Sequence, residues 1–129
     1  MIVAALNASN YRKQGALYTN NLFRACKKHI TVPFEFICFT DNASGMDDGV
    51  KAVPVTDQAS GWWHKLKILG GDELPKGERC LFFDLDSLIL ANIEDMATYA
   101  GGFVGLGGPR DYRSFGSAIM AWEAGTLSY

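Results

Sequence analysis

The chain has 129 residues, with 12 Lys and Arg against 14 Asp and Glu, which gives a formal net charge of −2. This length predicts a single domain, residues 1–129, that is large enough to bury a hydrophobic core. The near-neutral charge argues against a binder of duplex nucleic acid, and no apolar run reaches the ~18–20 residues that a membrane-spanning helix needs.

The first half of the chain predicts a unit of strand, helix and strand. Residues 1–6 form a short apolar run with no basic side chain before it, which favours a buried strand over a secretory signal. Apolar residues then recur at helical spacing between Gln14 and Lys28, and Pro33 precedes a second apolar strand at 34–39. This succession indicates a βαβ unit with parallel strands.

The second half of the chain continues the alternation. We expect strands at 50–55, 79–84, 103–106 and 117–122, and helices at 62–69 and 93–99. Pro54 lies within the first of these strands, so that strand is predicted at an edge of the sheet. The fold class predicted is α/β, with a mostly parallel central sheet flanked by helices.

The three cysteines, Cys26, Cys38 and Cys80, form no CxxC pair, and each lies within an apolar stretch. Their odd number and wide spacing argue against a disulfide framework and against a zinc site. We expect buried, reduced thiols, as in a cytoplasmic protein.

An Asp84-Leu85-Asp86 motif follows the apolar strand at 79–84. In an extended segment, residues i and i+2 point to the same side, so we expect the two carboxylates to lie roughly 6–7 Å apart. Open α/β sheets bind their ligands at the carboxyl ends of strands, where this motif is predicted. Two carboxylates suit Mg²⁺ or Mn²⁺ that is also coordinated by phosphate oxygens, although a pair of acids in a solvated loop is the alternative.

Several segments together resemble the nucleotide-sugar glycosyltransferases of the GT-A fold, in particular the glycogenin-like glycosyltransferase family eight with its bacterial and phage relatives. The most specific part is the Asp84-Leu85-Asp86 motif with the phrase Leu88-Ile89-Leu90-Ala91-Asn92-Ile93-Glu94-Asp95-Met96 after it. The other matching segments are Trp63-His64-Lys65-Leu66, Tyr11-Arg12-Lys13-Gln14-Gly15-Ala16 and Ser114-Phe115-Gly116-Ser117-Ala118-Ile119-Met120. The resemblance spans nearly the whole chain and implies a Rossmann-like GT-A domain.

The resemblance implies roles for the acidic and basic residues. Asp86 would chelate the metal, and Asp84 would bind the metal or hydroxyls of the ribose and the sugar. Lys65 would approach the diphosphate or the sugar as a point charge, although without the resemblance an ordinary surface lysine on a helix is favoured. Asp111 would contact the donor sugar, although a solvated loop acid is the alternative at that position.

It also implies a set of donor-binding residues. Tyr11 would stack on the base, and Leu6 and Ala8 would offer backbone contacts at the end of the first strand. Ser117 lies in the segment that resembles the family's FNSGV strand and joins this set. Without the resemblance, Tyr11 would equally suit an aromatic residue that packs at the edge of the core.

Two departures from the family pattern concern the sugar and the metal. Gly116 stands where the family usually carries Asn, which affects the choice of sugar. The chain ends at Tyr129, before the family's acceptor-binding half and the histidine that completes the metal site. We therefore expect a truncated or minimal version of the fold, with an uncovered apolar face through which copies of the chain could associate.

The predicted function is transfer of a hexose from a nucleotide-diphosphate sugar, with a UDP-sugar as first candidate, to a carbohydrate or other hydroxyl acceptor. Mn²⁺ or Mg²⁺ is the predicted cofactor, and the resemblance implies retention of the anomeric configuration. A module that binds the nucleotide sugar without turnover is the first alternative. A haloacid dehalogenase-like phosphatase, with Asp84 as nucleophile and Asp86 as acid and base, is the second.

Overall fold

The computed structural model describes residues 1–9, 11–55, 61–70, 73–107 and 114–127. The strands found there are β1 (Ile2–Asn7), β2 (Glu35–Thr40), β3 (Val50–Pro54), β4 (Arg79–Phe83), β5 (Phe103–Gly107) and β6 (Phe115–Glu123). The α-helices are α1 (Gly15–His29), α2 (His64–Gly70) and α3 (Glu94–Thr98). Single 3₁₀ turns, Tyr11–Lys13 and Gly61–Trp63, precede α1 and α2. The predicted elements are confirmed, with ends that differ by at most two residues.

The six strands form one sheet in the order β3-β2-β1-β4-β6-β5. Strands β1 to β4 are parallel, as the predicted βαβ unit requires, and β3 lies at the edge. Strand β6 is antiparallel to both β4 and β5, so the described sheet is mostly parallel, as predicted, with this one strand reversed. The few residues between β5 and β6 explain why these two strands are antiparallel, because parallel neighbours need a crossover connection of about a dozen residues.

The core covers both faces of the sheet. On one face, Phe83 of β4 packs with Leu22 and Phe23 of α1. On the other face, Phe82 packs with Ile68 of α2 and with other buried side chains of the sheet. The alternation of side chains along β4 therefore contributes to two separate clusters, as expected for a strand covered on both sides.

The three cysteines are free and buried, as predicted. Cys26 lies on the inner face of α1, while Cys38 and Cys80 lie within strands β2 and β4. Within the described ranges, no helix has the length and apolar character needed to cross a lipid bilayer.

Several large apolar side chains are exposed near the β5–β6 edge of the sheet and in the segment after β4. The rings of Phe103 and Phe115 lie 5.5 Å apart and are both partly exposed, and Leu88 and Leu90 are more than four-fifths exposed. An uncovered apolar surface was expected from the sequence, and association of copies through it stays a prediction.

Candidate functional site

The sheet order creates a crevice where a ligand is expected to bind. From β1 the chain moves outward to β2 and β3, whereas β4 lies on the opposite side of β1. The carboxyl ends of β1 and β4 therefore meet where the strand order reverses, which is the usual ligand position in open α/β sheets. Because β6 is antiparallel to β4, its first residues lie at this same edge.

A cleft of about 230 Å³ opens at this position. It is lined by Leu6, Ala8, Tyr11, Lys65, Asp84, Leu85 and Asp86. Six of these seven residues are ones that the sequence singled out, and they come from four separate parts of the chain. The fold thus places these six residues, which the sequence predicts to bind the donor or the metal, around one cleft.

The two aspartates lie in a turn rather than in an extended segment. The backbone N–H of Ser87 donates to the carbonyl oxygen of Asp84 at 2.9 Å, which closes the turn. The N–H of Asp84 donates to the carbonyl oxygen of Ala118 at 2.7 Å, which fixes the start of the turn to β6. Leu85 is buried and anchors the turn, so both carboxylates still line the cleft, but not by the i, i+2 geometry of a strand.

Lys65 of α2 is the nearest cation to Asp84. Its ammonium lies 2.6 Å from Oδ1 of Asp84, with the lysine side chain about one-tenth exposed and the aspartate about one-third exposed. The same ammonium donates to the carbonyl oxygen and to the hydroxyl of Ser117, at 3.3 Å and 3.4 Å. It also lies 5.2 Å from the centre of the Phe82 ring. Ser117 therefore joins the site through Lys65.

Tyr11 reaches across the cleft to the second aspartate. Its hydroxyl donates to Oδ2 of Asp86 at 2.9 Å, and its ring meets the ring of Tyr18 edge to face at 5.2 Å. Removal of the phenol from water, together with this hydrogen bond to a carboxylate, raises the pKa of Tyr11 above its ordinary value. The hydroxyl stays protonated at neutral pH and remains a donor to Asp86.

Polar side chains hold the backbone beside Tyr11. The N–H of Tyr11 donates to Oδ1 of Asn7 at 3.2 Å, and the N–H of Ser9 donates to Oδ2 of Asp41 at 2.8 Å. Asn7 is buried at the end of β1 and packs directly against Gly15, where a Cβ atom would overlap its side chain. The end of β1 and the start of α1 together therefore set the position of Tyr11.

The segment around Tyr11 has an unusual backbone conformation. Ser9, Arg12 and Lys13 have positive φ angles of 58°, 48° and 60°, which non-glycine residues rarely adopt. This conformation places the Arg12 guanidinium 3.6 Å from Oδ2 of Asp86, on the side chain that Tyr11 also contacts. Sequence patterns indicate no role for Arg12, Asn7 or Leu85, because a left-handed backbone and turn geometry leave no clear pattern in a sequence.

The site contains two candidate metal ligands. Asp84 and Asp86 present carboxylate oxygens to one cleft, which is the donor chemistry that Mg²⁺ and Mn²⁺ prefer, so the residues present fit such an ion. Across the described residues, no group of three or more His, Cys, Asp or Glu side chains is close enough to hold an ion. Further ligands would have to come from phosphate oxygens and water. Asp111, predicted to contact the sugar, lies outside the described residues.

The chain is similar in structure to a galactosyltransferase, LgtC. A crystal structure of LgtC in complex with donor and acceptor sugar analogues matches with a TM-score of 0.66 at 10% identity, over 97% of this chain and 58% of LgtC. A crystal structure of an active-site mutant of LgtC matches with a TM-score of 0.65 at 11% identity, over 95% of this chain and 57% of the mutant. No family model and no curated protein sequence matches the chain.

These similarities establish a GT-A-like glycosyltransferase fold and confirm the α/β architecture predicted from the sequence. At this level of identity they establish the fold alone. The chain spans somewhat less than three-fifths of the length of the solved chains that it resembles.

Proposed function

We propose that this chain is a metal-dependent glycosyltransferase domain that transfers a hexose from a nucleotide-diphosphate sugar to an acceptor hydroxyl. One observation carries the proposal: a single cleft at the reversal of strand order collects two carboxylates, a lysine and a tyrosine. These are the groups that a cation, a diphosphate and a nucleobase require. The similarity to LgtC, whose structure holds donor and acceptor sugar analogues, favours this function over a phosphatase.

The donor nucleotide would lie across the ends of β1 and β4. Tyr11 would stack its ring on the base, with a UDP-sugar as the first candidate. Leu6 and Ala8, which line the same cleft, would offer backbone contacts beside it. Lys65 would bind the diphosphate, since its ammonium already lies at the cleft beside Asp84. Ser117 would keep Lys65 in this position through its carbonyl and hydroxyl oxygens.

Asp84 and Asp86 would hold the divalent cation, Mn²⁺ or Mg²⁺. When bound, this ion would offset the negative charge of the diphosphate. The acceptor hydroxyl attacks the anomeric carbon as the bond between that carbon and the diphosphate oxygen breaks, and the proton of the hydroxyl passes to the departing diphosphate oxygen, which keeps the bonding electron pair. Lys65 stabilises the charge that develops on the departing nucleoside diphosphate, and Asp111 is proposed to contact the donor sugar.

A binding module without turnover is the second candidate function. It is favoured by the site itself, which presents two carboxylates and, within the described ranges, no larger cluster of metal-ligating side chains. A cation held by two protein ligands is bound less tightly than one held by three. Such a module would bind the nucleotide sugar in the same cleft but would release no nucleoside diphosphate.

The test is release of nucleoside diphosphate from a panel of UDP-, GDP-, ADP- and dTDP-hexoses, with Mn²⁺ or with EDTA. We expect Mn²⁺-dependent release from one class of donor, with release lost in Asp86→Asn. Glu123→Gln is the control, because Glu123 pairs in register with Arg79 at the opposite end of β4 from the cleft. Saturable Mn²⁺-dependent binding without release would indicate the module, and neither binding nor release would overturn both functions.

A further inference from the structure

Arg12 lies at the mouth of the cleft, where it contacts the same carboxylate as Tyr11. Its guanidinium is 3.6 Å from Oδ2 of Asp86, and its side chain is about three-fifths exposed. The same guanidinium lies 5.2 Å from the centre of the Tyr11 ring and 5.9 Å from that of Tyr18. The left-handed backbone at Arg12 directs this side chain toward the cleft, and its exposure leaves it free to change rotamer.

The charges of the site are balanced in pairs. Lys65 contacts Asp84, and Arg12 contacts Asp86, so each carboxylate already has a cation beside it. A divalent ion that binds alone must compete with these two cations, and a diphosphate that binds alone meets two carboxylates. When the ion and the diphosphate bind together, the two carboxylates face the ion while Lys65 and Arg12 face the phosphates, so every charge has an opposite charge beside it.

We propose that Arg12 is a phosphate-positioning residue that pairs with Asp86 as long as no cation is bound and would turn to the donor diphosphate when Asp86 holds a divalent cation. This inference rests on the proposed function and adds a residue to it. Arginine suits the role, because its planar guanidinium can bind phosphate oxygens through two hydrogen bonds, whereas lysine offers a point charge. Arg12 therefore couples binding of the cation to binding of the diphosphate.

The experiment is calorimetric titration of the full chain with Mn²⁺ alone, with UDP in the presence of Mn²⁺, and with UMP in the presence of Mn²⁺. The variants are Arg12→Gln and Arg12→Lys, with Arg24→Gln as the matched control. Arg24 is exposed to the same extent and pairs with Asp47 through two hydrogen bonds, on the outer side of α1. Its replacement removes an equal charge from a surface pair that does not line the cleft.

We expect Arg12→Gln to bind UDP with Mn²⁺ roughly tenfold more weakly than the wild type, and to bind Mn²⁺ alone as tightly or up to about fivefold more tightly. UMP should lose less affinity than UDP, Arg12→Lys should recover part of the loss, and Arg24→Gln should match the wild type. Weaker binding of UDP without weaker binding of Mn²⁺ alone distinguishes a residue that positions phosphate from one that only holds the Asp86 side chain in place.

Two results would overturn the role of Arg12 while leaving the proposed function intact. One is UDP affinity that is unchanged in Arg12→Gln, and the other is an equal weakening of Mn²⁺ alone and of UDP. A wild-type chain that binds no UDP in the presence of Mn²⁺ would overturn this inference together with UDP-sugar as the donor.

Discussion

The ammonium of Lys65 lies 2.6 Å from Oδ1 of Asp84, and this ion pair joins α2 to the turn after β4 at the centre of the cleft. Both side chains are largely withdrawn from water, so solvent screens their attraction only in part. Loss of one partner would therefore leave a half-buried charge without its neighbour.

The ion pair can be tested by a double-mutant cycle of Lys65→Met and Asp84→Asn. We expect each single change to lower the free energy of unfolding by about 1–2 kcal/mol, and the double change to cost less than the sum, because the second removes the charge that the first left unpaired. Urea denaturation of the four proteins measures this. Strict additivity would contradict the pairing.

Tyr11 offers a test that separates its ring from its hydroxyl. Tyr11→Ala should weaken UDP binding in the presence of Mn²⁺ by about 1–3 kcal/mol, because base stacking is lost. Tyr11→Phe keeps the ring and removes only the hydrogen bond to Asp86, so its UDP affinity should stay within about threefold of the wild type. Calorimetric titration of the wild type and the two variants with UDP in the presence of Mn²⁺ measures these affinities. Equal losses in both variants would show that the ring does not stack on the base.

Gly15 should be sensitive to substitution because of its contact with Asn7. A Cβ atom at this position would overlap the Asn7 side chain, so Gly15→Ala should destabilise the fold by about 1–3 kcal/mol and displace the support of Tyr11. Gly102→Ala is the control, since a Cβ atom there meets nothing within 4 Å. Thermal unfolding compares the two variants. Similar midpoints would argue against the close packing of Asn7 on Gly15.

Because the three thiols are buried, we predict that the free energy of unfolding decreases at alkaline pH. Burial raises the pKa of Cys26 to about 12, and the pKa values of Cys38 and Cys80 to about 11, from an ordinary value of 9.0. Thiols of the unfolded chain lose their protons above about pH 9, whereas the buried thiols of the folded chain keep theirs. The free energy of unfolding is therefore unaffected by ionisation of these thiols below pH 9 and decreases as the pH rises above it. Each thiol lowers the free energy of unfolding by up to about 1.4 kcal/mol per pH unit in this range.

Urea denaturation between pH 8 and pH 10.5 tests this dependence. The wild-type free energy of unfolding should be flat near pH 8 and decline above pH 9, and Cys38→Ala should show a shallower decline. The slope is the informative quantity, because removal of the sulfur also changes the packing beside Thr19. Parallel slopes in the two proteins would contradict a role for the Cys38 thiol.

The order and type of the strands and helices were predictable from the sequence, because hydrophobic periodicity and the positions of Pro and Gly depend on local residues alone. The position of the site was predictable for the same reason, since a DxD motif after a buried strand must lie at the carboxyl edge of the sheet. The reversal of β6 relative to β5 follows from the short segment between them, but the insertion of β6 between β4 and β5 depends on pairing along the sheet, on which local periodicity carries no information.

The detailed contacts were not predictable. Extended geometry was expected for Asp84 and Asp86, but the hydrogen bond from Ser87 closes a turn there, which a sequence does not reveal. The place of Arg12 beside Asp86 depends on a left-handed backbone at a non-glycine residue, against the usual preference of the chain. Contacts between residues far apart in the chain, such as Lys65 with Ser117, follow only from the complete fold.

The central claim is that Asp84 and Asp86 hold a cation that bridges to a diphosphate. The most direct test is the thermal unfolding midpoint of the wild type and of Asp86→Asn with UDP, with Mn²⁺, and with both. At a UDP concentration about 100-fold above the Kd measured with Mn²⁺, we expect the wild-type midpoint to rise by roughly 5–10 °C with both ligands and by much less with either one alone, with no extra rise for the combination in Asp86→Asn. An equal rise in the two proteins, or no rise in the wild type, would contradict the claim.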